Sequence, residues 1–244
     1  TYTSIERVTN SPVSDRLVRK AINYGFDRKK MMKYLRNNIG TPANSGFLPM
    51  GLPAFSADSV KGYTYDPDKA RDLLKKAGYP NGEGLEEITL TTTDDYRDLC
   101  EFIQHQLAEV GISIEIEVST GATFRDMVAH SKLLFFRGSW IADYPDAENY
   151  LALFYSKNFS PGGPNYTHFS NPRYDKLYEK ALNTMDHQKR TRYYRQMDRM
   201  IIEHAPVVPL YYDQVVRFTH SHVKNLGSNP MNLLVLKHVK KDQS

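Results

Sequence analysis

The chain has 244 residues, 40% of them hydrophobic and 25% charged, enough for one large folded unit or two small ones. Lys and Arg number 32 against 28 Asp and Glu, a net charge of +4, and the two signs are interleaved, which argues against nucleic acid as a partner. No run approaches the roughly 20 apolar residues of a membrane helix, and the lone Cys100 excludes an internal disulfide.

The chain opens TYTSIERV, which reads as a strand without an earlier neighbour and suggests an excised piece of a longer protein. Ser14 or Asp15 can cap a first helix whose apolar stripe is Leu17, Val18, Ala21 and Ile22. Gly25 ends it, and Asp27 can cap a second helix with Met31, Met32 and Leu35. GTPANSGFLPMGLPAFS, from Gly40, is dense in Gly and Pro and reads as a long irregular segment of the kind that often carries function. Asp66 and Pro67 then start a helix that Gly78 and Pro80 close.

An alternating series follows. EEITLTTT is a strand. A helix carries Tyr96, Leu99, Cys100, Ile103, Leu107 and Val110 on one stripe, and its periodicity marks Cys100 as a buried thiol rather than a reactive one. ISIEIEVS is a second strand, ATFRDMVAHSK a short helix and LLFFRGSW a third, buried strand. Such alternation implies an α/β layer. The stretch RGSWIADYPDAENY begins at the carboxyl end of that third strand, where open α/β sheets bind ligands. It gathers the only tryptophan, Trp140, with Arg137, Asp143, Asp146 and Glu148. Asn171 and Asp186 can cap two further helices. VVPLYYDQVVRFTH and the basic-ended MNLLVLKHVKK read as strands.

His220 and His222 would share one face of a strand and could hold a metal with His204 or His238, but solvated histidines are the commoner meaning, and no cofactor or metal is assigned. No nucleophile elbow, HExxH, P-loop or GxGxxG is present, so no catalytic residue is assigned either.

The segments VRKAINYGFDRKKMM, YDPDKARDLLKKAGYPNG, QLAEVGISIEIEV, GSWIADYPDAENYLALF and FSNPRYDKLYEKAL occur in this order. In that order the chain resembles the C-terminal half of the dipeptide/oligopeptide-type extracellular solute-binding proteins of ABC importers, bacterial family 5. The resemblance implies an α/β, periplasmic-binding-protein type II-like lobe, a mixed sheet flanked by helices, with terminal strands belonging to a missing larger lobe. Residues 1–9 would be a hinge or large-lobe strand, 10–205 the small lobe, and 206–244 the return to the large lobe. It implies a non-enzymatic receptor for a peptide ligand and an ABC permease as partner. It also implies a monomer, exported to the periplasm or cell surface, with lipid anchoring through an N-terminus absent from this chain.

The resemblance further implies that Asp143 pairs with the ligand's α-ammonium group. Trp140 would offer a flat face to that cation, flanked by Tyr144. Backbone groups at Ser139 and Ile141 would pair with the peptide main chain. Arg137 matches a position that faces the ligand carboxylate in some members; the alternative is an ion pair with Asp143 or Asp146. Asn165 and Tyr166 lie in a loop that approaches the cleft in relatives. Family members usually have proline where this chain has Ala147. Rival readings are a receptor for an oligosaccharide or metal chelate, a peptide hydrolase and a nucleic-acid module.

Overall fold

The computed structural model describes residues 11–227 and 233–242; the opening TYTSIERV and Met231–Asn232 lie outside the described residues. The helices start where the sequence places its caps. Asp15 accepts from Leu17 N at 2.6 Å to start α1 (Arg16–Tyr24), and Asp27 accepts from Lys29 and Lys30 to start α2 (Arg28–Leu35). Asp66 caps α3 (Pro67–Lys76), with Pro67 in the first turn, where its missing N–H costs nothing. Asn171 and Asp186 cap α7 (Pro172–Leu182) and α8 (His187–His204).

The α/β layer lies in the middle of the chain. Strands β2 (Ile88–Thr92) and β3 (Ile114–Val118) pair in parallel, with Ile88 opposite Ile114, and α4 (Arg97–Ala108) connects them. After the short helix α5 (Gly121–Ala129), the expected third strand shrinks to one parallel bridge between Thr91 and Phe136. Thr91 N donates to Phe135 O at 3.1 Å and Arg137 N donates to Thr91 O at 3.0 Å. Residues 133–137 are half-buried rather than buried, and 138–139 are exposed, so the segment leaves the layer directly after this bridge.

Among the described residues, two apolar cores form. The first gathers Val18, Ala21 and Ile22 of α1, Met31 and Met32 of α2, Leu74 of α3, Ile88, Leu90 and Ile114 of the strands, and Cys100 and Leu107 of α4. Cys100 is 1% exposed and burial pushes its thiol up, so it is a packing residue. Gly25 permits the approach of α4: a Cβ there would sit 2.7 Å from Leu107 Cδ2. Leu35, expected on an apolar stripe, is exposed as the last residue of its helix.

The second core packs α7 and α8 against Leu151, Leu153 and Phe154. The Gly/Pro-rich segment also belongs to it. Thr41–Pro42 (β1) pairs antiparallel with Tyr211–Tyr212 (β4), and Leu48 is fully buried. Asp198 of α8 holds this segment by accepting from Phe47 N at 2.6 Å. Gly46 is required beside it, because a Cβ would lie 1.9 Å from the Asp198 carboxylate.

The two cores are joined by arginines bonded to carbonyls. Arg28, 1% exposed, donates to Pro209 O at 2.6 Å, Asn23 O at 2.8 Å and Asn23 Oδ1 at 3.0 Å, with Phe26 under its guanidinium. Arg19 donates to the His204 and Ala205 carbonyls, both at 2.9 Å, and so caps the C-terminal end of α8.

The expected strands beyond Pro206 are mostly absent. Among the described residues only Tyr211–Tyr212 and two short antiparallel pieces, Val223–Lys224 (β5) and Lys240–Lys241 (β6), are strands. Residues 213–219 are irregular and exposed. No helix among the described residues is long and apolar enough to cross a membrane.

Two measurements check this account. Arg28→Lys retains the charge but not the fork of donors, and its urea midpoint should report a loss of about 2–4 kcal/mol. Burial pushes the Asp198 carboxyl up to about 6, against the partial relief from the Phe47 and Leu48 backbone N–H groups. The folded chain therefore binds more protons than the unfolded chain between about pH 4 and 6, so this group's contribution to stability falls as pH rises through that window. Asp198→Asn should gain on the native chain by roughly 2–3 kcal/mol between pH 4 and 7, read as the change in relative urea midpoints.

Candidate functional site

The stretch after the Thr91–Phe136 bridge runs without regular structure until α6 (Glu148–Leu151). Three anchors fix its far end. Ala147 and Leu151 are buried in the second core, at 2% and 0% exposure. Asp146 accepts from Glu148 N at 3.0 Å and pairs with Arg190 of α8 at 2.8 Å. Glu148 accepts from the phenols of both Tyr144 and Tyr178. Burial first, and then these carboxylates, hold the Tyr178 and Tyr194 hydroxyls well above the ordinary phenol range, so both stay protonated donors.

Within this frame Trp140 and Asp143 are brought together. Trp140 is half-buried, packs on the second core and donates its Nε1–H to Asn149 Oδ1 at 2.7 Å. Asp143 is exposed. Its carboxylate meets Asn149 Nδ2 at 3.4 Å, a long contact, and its backbone N–H meets Asn149 Oδ1 at the same distance. Among the described residues, Asp143 forms no ion pair. Tyr144 turns to Glu148 rather than to Asp143. Ser139 and Ile141 are exposed, Ile141 at 76%, and stand on the same open strip.

Arg137 does not pair with Asp143 or Asp146. Asp146 is taken by Arg190, and the Arg137 guanidinium lies 3.2 Å above the Tyr96 ring, with Nη2 3.5 Å from the Tyr211 hydroxyl. Its Nε is buried without a hydrogen-bond partner, as is Nε of Arg36, whose guanidinium stacks on Tyr211 and pairs with Asp213 at 2.9 Å.

Asn165 has 0% exposure. Its Nδ2 donates to the Tyr155 and Phe169 carbonyls, both at 3.0 Å, and its Oδ1 accepts from Thr167 and Phe169 N. Every polar atom of that side chain is spent on its own loop, so contact with a ligand would require the loop to open. Tyr166 is half-buried beside it. His220 and His222 stack with ring centroids 5.2 Å apart, and among the described residues no group of three or more metal-ligating side chains gathers.

Asn149 escapes a reading of the sequence. An Asn in the first turn of a short helix looks like an ordinary polar residue. Its one signal is position, nine residues after the only tryptophan and six after the acid.

The profile of the bacterial extracellular solute-binding proteins, family 5 (middle region), matches residues 2–162. The glutathione-binding protein GsiB of Escherichia coli (strain K12) is 32% identical over 225 residues, which is 90% of this chain and 43% of that protein. Two solved structures superpose closely. The ABC transporter-associated periplasmic binding protein DppA from Helicobacter pylori, in complex with the peptide STSA, gives a TM-score of 0.81 at 26% identity and covers 96% of this chain and 46% of its own. The dipeptide binding protein from Pseudoalteromonas sp. SM9913, in complex with Met-Leu, gives 0.79 at 27% identity over 96% of this chain and 47% of its own. The chain thus spans less than half the length of each of these proteins.

Glu148→Ala should destabilise the chain by about 1–3 kcal/mol, since it strands the phenol of Tyr178, which is only 4% exposed. Tyr178→Phe in the same background should recover part of that loss in urea titrations, because it removes the orphaned group.

Proposed function

From the premise that this chain belongs to the bacterial extracellular solute-binding proteins of family 5, we propose that it forms one wall of a peptide-binding cleft serving ABC-transporter uptake. Asp143 is the counter-charge for the ligand's α-ammonium group. The observation that carries this reading is an exposed carboxylate held beside a fixed indole, without a cation of its own. A buried ammonium group must keep a counter-charge, because unpaired burial of a charge is very costly. Trp140 lends a flat apolar surface and a cation–π face. Ser139 and Ile141, on the exposed strip, offer backbone groups to the peptide main chain, which every peptide can pair with whatever its side chains. Arg137, stacked on Tyr96 and paired with no carboxylate among the described residues, is the cationic group for the ligand's carboxylate end. The peptides bound in the two solved relatives support a peptide as the class of ligand.

The second wall belongs to another body. From Asp213 onward the chain holds apolar side chains in solvent: Val215 is 60% exposed, Val216 51%, Phe218 93% and Val235 53%. These residues suit a segment that returns to a larger lobe. Ligand would draw the two lobes together, a population shift driven by contacts made only in the closed state, and the closed form would dock on a membrane permease. The protein acts as a monomeric, exported receptor and performs no chemistry on its ligand.

Asp143→Ala in the full-length protein should weaken binding of Met-Leu by about 1.5–3 kcal/mol in calorimetry. Unchanged affinity removes Asp143 from the site, and recovery of cleaved peptide after incubation replaces the receptor with a hydrolase.

A further inference from the structure

We infer that Asn149 is the positioning residue of the cleft, its amide setting both the plane of the Trp140 indole and the direction of the Asp143 carboxylate. This rests on the reading of Asp143 as the acceptor of the ligand's cation. The amide is 7% exposed and sits in the first turn of α6, between the buried Ala147 and Leu151. Its backbone is therefore rigid, and its side chain can impose an orientation on others.

The stoichiometry is specific to an amide. Oδ1 offers two lone pairs, and both meet N–H groups: the indole Nε1–H at 2.7 Å and the Asp143 backbone N–H at 3.4 Å. Nδ2 offers donors, and one points at Asp143 Oδ2 at 3.4 Å. A carboxylate at this position would place a second negative charge beside Asp143. A hydroxyl is too short to reach both sides, and an aliphatic side chain leaves the indole N–H without its partner. Only an acceptor edge and a donor edge on one planar group satisfy all three.

The distances also divide the labour. The indole bond is short and fixes the ring. The contacts to Asp143 are long and neutral, so they aim the carboxylate while leaving its oxygens open to a charge-assisted bond, which is shorter and roughly twice as strong. The amide steers the acid without competing for the guest.

The test uses the full-length protein with Met-Leu and its N-acetylated form, and the ratio of their affinities is the readout. A purely structural role lowers both affinities together and leaves the ratio unchanged. Positioning lowers the ratio: Asn149→Leu should reduce the preference for the free amine by about tenfold, the loss of one charge-assisted bond. In an Asp143→Asn background the same substitution should change the ratio less than about twofold. An unchanged ratio in Asn149→Leu, or an equal drop in both backgrounds, overturns the inference. Asn149→Ser, whose hydroxyl is too short to bridge the indole and Asp143, repeats the test if the leucine variant does not fold. A native ratio near one defeats the amine-recognition reading instead. The indole then decides Asn149 alone, read as the part of the full-length protein's fluorescence that Trp140→Phe removes. Acrylamide quenching that rises in Asn149→Leu keeps the amide's hold on the ring, and unchanged quenching overturns it.

Discussion

The architecture depends on guanidinium groups bonded to peptide carbonyls. Arg28 and Arg19 belong to the first core, and their oxygen partners at His204, Ala205 and Pro209 belong to the stretch that leaves the second. Asn23 adds a third link by donating to Val207 O at 3.3 Å. A buried charge needs compensation, and three carbonyl-type oxygens arranged around a planar fork supply it by dipoles rather than by an opposing ion. This joint, together with the Tyr63 hydroxyl bond to Ile202 O, ties the α4-centred layer to the α7–α8 hairpin. The loop carrying Trp140 and Asp143 spans them, since it starts at the strand layer and ends in the second core. Its geometry is therefore set by how the two cores are held.

That loop shows a division between structural and free carboxylates. Asp146 and Glu148 are both engaged, one with Arg190 and one with two phenols, and each contact ties the loop to α7 or α8. Asp143 alone of the three acids faces outward with a long neutral contact. Asp146 is paired with a cation and Glu148 is held by neutral phenol donors, while Asp143 stands exposed, where water solvates its charge.

Much of this was legible in the residues and part was not. Five helix starts follow from Asp15, Asp27, Asp66, Asn171 and Asp186, because a cap is a bond between near neighbours in sequence. The parallel pair β2–β3 follows from apolar alternation. The third strand and the strands after Pro206 were over-read. Apolar runs such as VVPLYYDQVV look the same whether or not a neighbour exists to pair with, and here pairing stops after two residues. Trp140, Asp143 and Arg137 stood out by composition and by resemblance, yet the partner of Arg137 did not. Its stacking on Tyr96 and its approach to Tyr211, 74 residues away, depend on tertiary placement. The same holds for Asn149 as a hub and for Asp198, whose partner Phe47 is 151 residues distant.

The exposed Val215, Val216 and Phe218 carry a practical consequence. A short β-prone run in water, rich in branched and aromatic side chains, is the kind of surface on which chains stack upon one another. Asp213 and Arg217 bracket it, and such flanking charges slow that stacking without removing its drive. Any surface that covers this run therefore also guards it against clumping.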